Sequence, residues 1–298
     1  MKSLESYLTG FNFSYTVFDQ NAALNIYKPR DEFAHKGTFG HAIILAGSYG
    51  KIGAAVLAAR ACLCSGAGLL TVYLPSCGYQ ILQSSLPEAM VITDPNESRL
   101  TTVPESSDIY QSAGIGPGIG KAADTAAMLG NFLRIFNSAL VVDADALNII
   151  SENPGMISLL RPGTIITPHA KEFERLFGKA GSDTDRMILA REMAVLHKII
   201  IVLKGHFTGV FCPDGNVSFN TSGNAGMAKG GSGDVLTGII TALLAQSYEP
   251  AAAAKLGVFL HGHAGDLAAA KYSEESMLPG NLIEQIGNSF LQWSRGKD

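Results

Sequence analysis

From His41 onward, short runs of β-branched and aliphatic residues alternate with longer helix-forming stretches, and this rhythm admits few architectures. His41–Ala46, Leu69–Leu74, Met90–Ile92, Ile109–Ala113, Ala139–Val142, Thr164–Ile166 and Ile199–Leu203 read as strands. Ile52–Ser65, Tyr79–Ser85, Ala122–Phe136, Asp183–Leu196, Val235–Ala245, Ala251–Ala270 and Leu282–Trp293 read as helices. Val210–Cys212 and Val217–Phe219 flank Pro213-Asp214-Gly215-Asn216, turn chemistry that predicts a hairpin. Strands apolar at nearly every position cannot turn one face to water. The pattern therefore predicts an α/β fold, a mostly parallel central sheet with helices on both faces. No Pro- or Ser-rich linker interrupts it, so residues 1–298 read as a single domain. The first 35 residues lack the alternation and are expected to wrap the surface as an N-terminal extension, or to meet a neighbouring subunit.

Composition excludes several classes of function. Charged residues make up 16% of the chain, below the usual quarter, while hydrophobic residues at 47% are ordinary. That deficit predicts a large core and surface hidden between subunits of a homo-oligomer. A net charge of -4 and a pI near 6.0 argue against a nucleic-acid partner. There is no basic start followed by an apolar core, so no secretory leader is expected. Lys255, His261, His263 and Asp266 interrupt the most apolar long stretch, which predicts no membrane span. The four cysteines read as reduced, mostly buried thiols of a cytoplasmic protein.

In an open parallel sheet, ligands bind outside the carboxyl ends of the strands, and here the glycine-rich loops each follow a predicted strand. Gly47-Ser48-Tyr49-Gly50-Lys51-Ile52-Gly53-Ala54 and Gly114-Ile115-Gly116-Pro117-Gly118-Ile119-Gly120 are two of them. Asp143-Ala144-Asp145, Thr167-Pro168-His169-Ala170-Lys171-Glu172 and Lys204-Gly205-His206-Phe207-Thr208 are three more. The most telling is Asn220–Asp234, glycine-rich, with one carboxylate, running into an apolar segment. Glycines let amides crowd an anion, and a helix N-terminus adds about half a positive charge there. A carboxylate beside a phosphate cradle is electrostatically unfavourable unless Asp234 takes a proton from a hydroxyl attacking that phosphate. The plain alternative is Asp234 as a helix N-cap. None of the loops fits the dinucleotide fingerprint or the Walker-type P-loop. Together they describe a broad cleft for one large phosphate-bearing ligand, or for two ligands side by side.

The Gly231-Ser232-Gly233-Asp234 end of that run resembles the anion hole and base of ribokinase-like enzymes. The match narrows with His35-Lys36-Gly37, Phe39-Gly40-His41, Gly53-Ala54-Ala55, Gly66-Ala67-Gly68-Leu69, Gly116-Pro117-Gly118, Asp143-Ala144-Asp145-Ala146-Leu147, Thr167-Pro168-His169, Lys204-Gly205 and Gly223-Asn224. In this order, over Phe33–Asn288, the set resembles the NAD(P)H-hydrate dehydratase family, without room for the epimerase domain that often precedes it. The resemblance implies a ribokinase-like three-layer sandwich and repair of hydrated nicotinamide cofactors by phosphorylation and elimination. It implies Asp234 as base and the amides of Gly231, Ser232 and Gly233 as the anion hole. Ala54, Gly116, Gly118, His169, Asn224 and Asp234 would contact the hydrated cofactor. Lys204, Gly205, His206, Phe207, Thr208 and Gly233 would contact the donor, ADP or ATP. It further implies Mg²⁺ held largely by phosphates and water, with Glu172 near but not on the ion, and a tetramer.

Other readings stay open on the residues themselves. His169 can cap the following helix, Asp143 and Asp145 can fix a strand–helix turn, and Lys36 and Lys204 can be solvated. His261 and His263, two apart, do not share a helix face and read as core or interface histidines. Trp293 reads as packing. Asn281 stands where an acidic residue is expected, which questions a contact of the last helix. A vitamin-precursor kinase and a non-catalytic nucleotide sensor are the competing functions.

Overall fold

The computed structural model describes residues 4–105 and 107–295. Residues 1–3 of the expected N-terminal extension lie outside the described residues. In chain order the elements are α1 (Leu4–Tyr7), β1 (Thr16–Phe18), α2 (Gln20–Ile26), β2 (His41–Leu45), α3 (Ile52–Cys64), β3 (Leu69–Pro75), α4 (Tyr79–Ser85) and β4 (Met90–Asp94). Then come β5 (Ser112–Ile115), α5 (Ala123–Ile135), β6 (Ala139–Val142), α6 (Ala144–Glu152), β7 (Ile165–Ile166), α7 (Ala170–Phe177) and α8 (Asp183–His197). The chain closes with β8 (Ile200–Leu203), β9 (Gly209–Phe211), β10 (Val217–Asn220), α9 (Ser232–Ala245), α10 (Pro250–Tyr272) and α11 (Pro279–Arg295).

Ten strands form one sheet in the order β1-β10-β9-β8-β7-β6-β5-β2-β3-β4. β9 runs antiparallel to both neighbours, and the other pairings are parallel. Side-chain alternation along buried strands divides the core as the apolar runs require. Ile43 and Leu45 of β2 pack with Met128, Phe132, Ile149 and Phe173 on one face. Ala42 and Ile44 pack with Ala55, Ala58 and Ala242 on the other. α9 crosses the middle of that second face, so close to α3 that a methyl on Gly238 would fall 2.1 Å from the Ala58 carbonyl oxygen. Three layers result.

Three expectations change. The predicted strand Ile109–Ala113 begins later, at Ser112, because Ser107–Ile109 closes a 3₁₀ turn; Gly114 and Ile115 belong to the strand and not to the loop. The N-terminal segment does not merely wrap the surface. β1 adds a parallel edge strand to β10, and Leu8, Phe11, Phe18 and Ala23 are buried. Helix α9 starts at Ser232 instead of Val235, which carries the Ser-Gly-Asp sequence into its first turn.

Candidate active site

Gly231 starts α9 in the left-handed region, φ 100°, with no side chain capping the helix. Asp234 therefore sits in the first turn and is not the N-cap, which removes the plain alternative. First-turn amides have no intrahelical partner. That of Ser232 bonds the Lys229 carbonyl at 3.3 Å, and Gly233 and Asp234 supply the next two donors at the positive end of the helix.

This helix end separates two concavities. A cavity of about 660 Å³ is lined by His169, Lys204, Thr208, Asn224, Ser232 and Gly233, among others. A shallower groove of about 590 Å³ is lined by Lys51, Ala54, Gly118, Asp145, Gly230 and Asp234. The groove is built by loops tied to one another. Gly47 N–H donates to the Pro117 carbonyl at 2.8 Å and Ser48 Oγ to the Gly118 carbonyl at 2.7 Å. Asp145 accepts from Lys51 Nζ at 3.1 Å and from the Gly120 amide at 2.9 Å.

The electrostatics centre on Asp234. Burial above all, then the negative charge of Asp143, push its carboxyl up to about 7; Lys204 opposes the shift and Asp145 adds to it. Lys204 is not solvated. Its Nζ donates to Asp143 Oδ1 at 2.9 Å and lies 3.8 Å from Glu172 Oε2. Burial works against its charge, but Asp143, Glu172 and Asp234 outweigh it and hold the ammonium's pKa above its ordinary value.

Several predicted residues are placed differently from one another. Ala54, Gly118 and Asp234 line the groove together. Gly116 lies buried beneath it, where a methyl would meet the Asp143 carbonyl at 1.8 Å. His169 and Asn224 line the larger cavity and not the groove. His169 also caps α7, its Nδ1 accepting from the Lys171 and Glu172 amides at 3.1 and 3.2 Å. The His169 amide in turn donates to Glu172 Oε2 at 2.9 Å, so the Glu172 carboxylate is held by a capping box and Lys204. The Asn224 side chain is engaged by Gly226 N–H and Asp266. Lys204, Gly205, His206 and Thr208 line the larger cavity with Gly233. Phe207 does not, and contributes to a cavity of about 170 Å³ beside Arg186 and Phe211.

Lys36 is exposed and lines neither concavity. His263 bonds Ser289 Oγ at 2.9 Å and Trp293 is fully buried against Tyr27 and Phe290, both as structural side chains. Asn281 Oδ1 accepts from the Leu278 amide at 2.9 Å, doing the capping work an acid would do. His261, expected in the core or an interface, also forms part of the cavity wall; burial pushes its pKa down to about 4, so the ring is neutral at pH 7. A histidine amid alanines on a long helix carries no sequence mark that separates these roles.

A large cavity and a second groove meet at an amide-rich helix end, an arrangement with room for two ligands facing one another across it. Comparison with known proteins agrees. A family model described as NAD(P)H-hydrate dehydratase matches residues 42–288. The ADP-dependent (S)-NAD(P)H-hydrate dehydratase of Neisseria meningitidis serogroup B is 39% identical over 251 residues, 82% of this chain and 82% of that protein. The bifunctional NAD(P)H-hydrate repair enzyme Nnr of Moorella thermoacetica is 36% identical over 264 residues, 86% of this chain and 50% of that enzyme. The chain spans about half the length of the bifunctional relatives it matches. The crystal structure of ADP/ATP-dependent NAD(P)H-hydrate dehydratase from Bacillus subtilis, co-crystallised with ATP/Mg²⁺, superposes with a TM-score of 0.82 at 28% identity, covering 94% of this chain and 99% of that one. The fold is the ribokinase-like sandwich that the resemblance implied. With Asp234, the bowl of first-turn amides and the two concavities carried on that framework, the chain belongs to the NAD(P)H-hydrate dehydratase family.

Proposed function

We propose that this protein restores NAD(P)H from the S-epimer of its C6 hydrate. Hydroxide leaves the reduced ring poorly, so the oxygen is first phosphorylated. Asp234 accepts the hydroxyl proton, the oxygen attacks the terminal phosphorus of the donor, and the bond to the donor's bridging oxygen breaks. The ring-nitrogen lone pair then expels phosphate from C6, and the resulting iminium loses a proton from C5 to solvent, whose C–H electron pair restores the carbon–carbon double bond. The observation that carries this reading is the split at the α9 N-terminus, with Asp234 on the groove and Ser232 and Gly233 on the cavity. Charge developing on the transferring group would meet the first-turn amides and Lys204 together.

ADP is the donor we assign, in line with the Neisseria and Listeria monocytogenes relatives, both named ADP-dependent. Lys204, Gly205, His206 and Thr208 would bind it. Among the described residues no group of three ligating side chains is placed to cage a metal ion. The Lys204 ammonium stands between Asp143 and Glu172, where a cation would have to displace it. Mg²⁺ bound through the donor's phosphates fits this arrangement, and there it would neutralise phosphate charge. Among the described residues no helix is long and apolar enough to cross a membrane. A cytoplasmic homotetramer remains our expectation.

The test is incubation of purified protein with hydrated NADH and ADP or ATP. Absorbance at 340 nm should rise with release of free phosphate. A stable phosphorylated alcohol from a hydroxymethyl thiazole or pyrimidine, without hydrate turnover, would make the protein a vitamin-precursor kinase instead.

A further inference from the structure

Asp143 is a buried carboxylate that the phosphoryl-transfer scheme leaves without a task. It follows β6 directly and is 1% exposed. Oδ1 accepts from Lys204 Nζ at 2.9 Å, and Oδ2 accepts from Thr237 Oγ1 at 2.8 Å. Thr237 stands one turn beyond Gly233 on α9, so this carboxylate is anchored to the same helix whose first turn forms the amide bowl. A methyl on Gly233 would come 3.3 Å from Lys204 Nζ and 3.6 Å from Asp143 Oδ2. The ion pair is therefore pressed against the backbone of that turn.

A lysine ammonium is a point charge on a flexible four-carbon stem, and it goes to the best carboxylate within reach. Three surround this one: Asp143, Glu172 and Asp234. Glu172 is already held by the α7 capping box, which leaves Asp143 and Asp234 in competition. A Lys204 paired with Asp234 would neutralise the base and vacate the mouth of the bowl.

Resting on the proposed phosphoryl transfer, we propose that Asp143 is a positioning residue that latches Lys204 against Gly233, keeping the ammonium on the phosphate side and away from Asp234. The groups facing Asp234 are Asp143 after β6, Lys204 after β8 and Asp145 in the first turn of α6, the last already paired with Lys51 ahead of α3. Removing the charge at Asp143 takes away a neighbouring anion and releases the cation. Both changes stabilise ionised Asp234, so both shift its titration the same way.

Asp143→Asn keeps the shape and an acceptor for Thr237. It should lower kcat about 10²-fold, the scale of a misplaced reacting group. The acid limb of the pH profile of kcat/KM should also move to lower pH, which a merely structural role would not do. Adding Lys204→Ala to Asp143→Asn should do no further damage beyond Lys204→Ala alone. A folded Asp143→Asn enzyme at full rate, or one slowed with its acid limb unmoved, overturns the proposal. If Asp143→Asn does not fold, Thr237→Val serves: it frees the carboxylate while preserving volume, and kcat must fall with KM for the hydrate held. An unchanged kcat there refutes the latch. If the wild type turns over no hydrate, the functional reading has failed; ¹³C titration of the Asp234 carboxyl in wild type and Thr237→Val, which keeps the Asp143 charge, then decides on the latch alone: a downward shift supports it and an unmoved titration overturns it.

Discussion

Asp234 is expected to be both the source of activity and a liability to the fold. Its carboxyl is raised in the native state from 3.8 to about 7, first by burial and then by Asp143. The folded protein thus binds this proton more tightly than the unfolded chain does. The stability associated with the bound proton is complete below about pH 4 and is lost progressively as pH rises through about 7. Asp234→Asn should therefore stabilise the protein increasingly across that window, by on the order of 2 kcal/mol at pH 8 after allowing for partial solvent screening. Thermal melts at pH 5 and pH 8 should show the variant's advantage widening at the higher pH. A constant difference would mean that the carboxyl is not perturbed in the native state. The same substitution should lower kcat by roughly 10²–10⁴-fold, the usual loss for a general base. For the wild type, kcat/KM should rise with pH up to about 7, as the base of the free enzyme ionises.

At the scale of the element, α9 does two jobs through two different glycines. Gly231 has φ 100° and would place a methyl 2.6 Å from Leu57 Cδ1, so Gly231→Ala strains the turn that aims the amides. Gly238 sits in regular helix, and its methyl would strike the Ala58 carbonyl oxygen of α3. Gly238→Ala should lower stability by about 2–3 kcal/mol through overpacking. Its kcat should be little changed in the folded fraction, whereas Gly231→Ala should lower kcat out of proportion to its stability. Urea denaturation beside steady-state kinetics separates the two. The contrast also explains what the sequence made legible. Glycine and aspartate spacing marked Gly231–Asp234 because the left-handed turn that opens α9 needs a glycine, and the aspartate follows in the first helical turn. The strand Ile109–Ala113 was misplaced because Gly114 reads as a loop residue. It is in the sheet because Thr241 of α9 comes so close that a methyl would lie 2.5 Å from its Oγ1. Local pattern cannot show a helix crossing from 127 residues away. Asp143 and Thr237 were missed as a pair for the same reason, since their contact joins residues 94 apart.

For the whole molecule, the segment ahead of β2 is the least legible part of the chain and is nonetheless built into it. Its apolar residues follow neither a strand nor a helix period for long, so the sequence suggests an appendage. In the fold they divide between both faces of the sheet. Phe11 packs edge-on to Phe219 on one face, with centroids 5.8 Å apart, and Phe18 packs on Phe259 on the other at 6.1 Å. β1 covers the edge of β10 through the pairs Thr16–Ser218, Val17–Phe219 and Phe18–Asn220. The Lys28 amide donates to Tyr248 Oη at 2.9 Å, tying the segment to the turn before α10. A variant beginning at residue 31 would lose the buried Ala23 and three large buried side chains, Leu8, Phe11 and Phe18. At roughly 1.5–3 kcal/mol each, that is about 5 kcal/mol or more, enough to remove most of a typical domain's stability. It would also expose β10 as an apolar edge strand, a template for association. The truncated chain should therefore unfold at much lower denaturant and aggregate at concentrations where the full chain does not. β10 leads through Asn220 into the loop that carries Gly231, so nucleotide binding should weaken as well. An unaltered denaturation midpoint with full nucleotide affinity would return residues 1–30 to the status of an appendage.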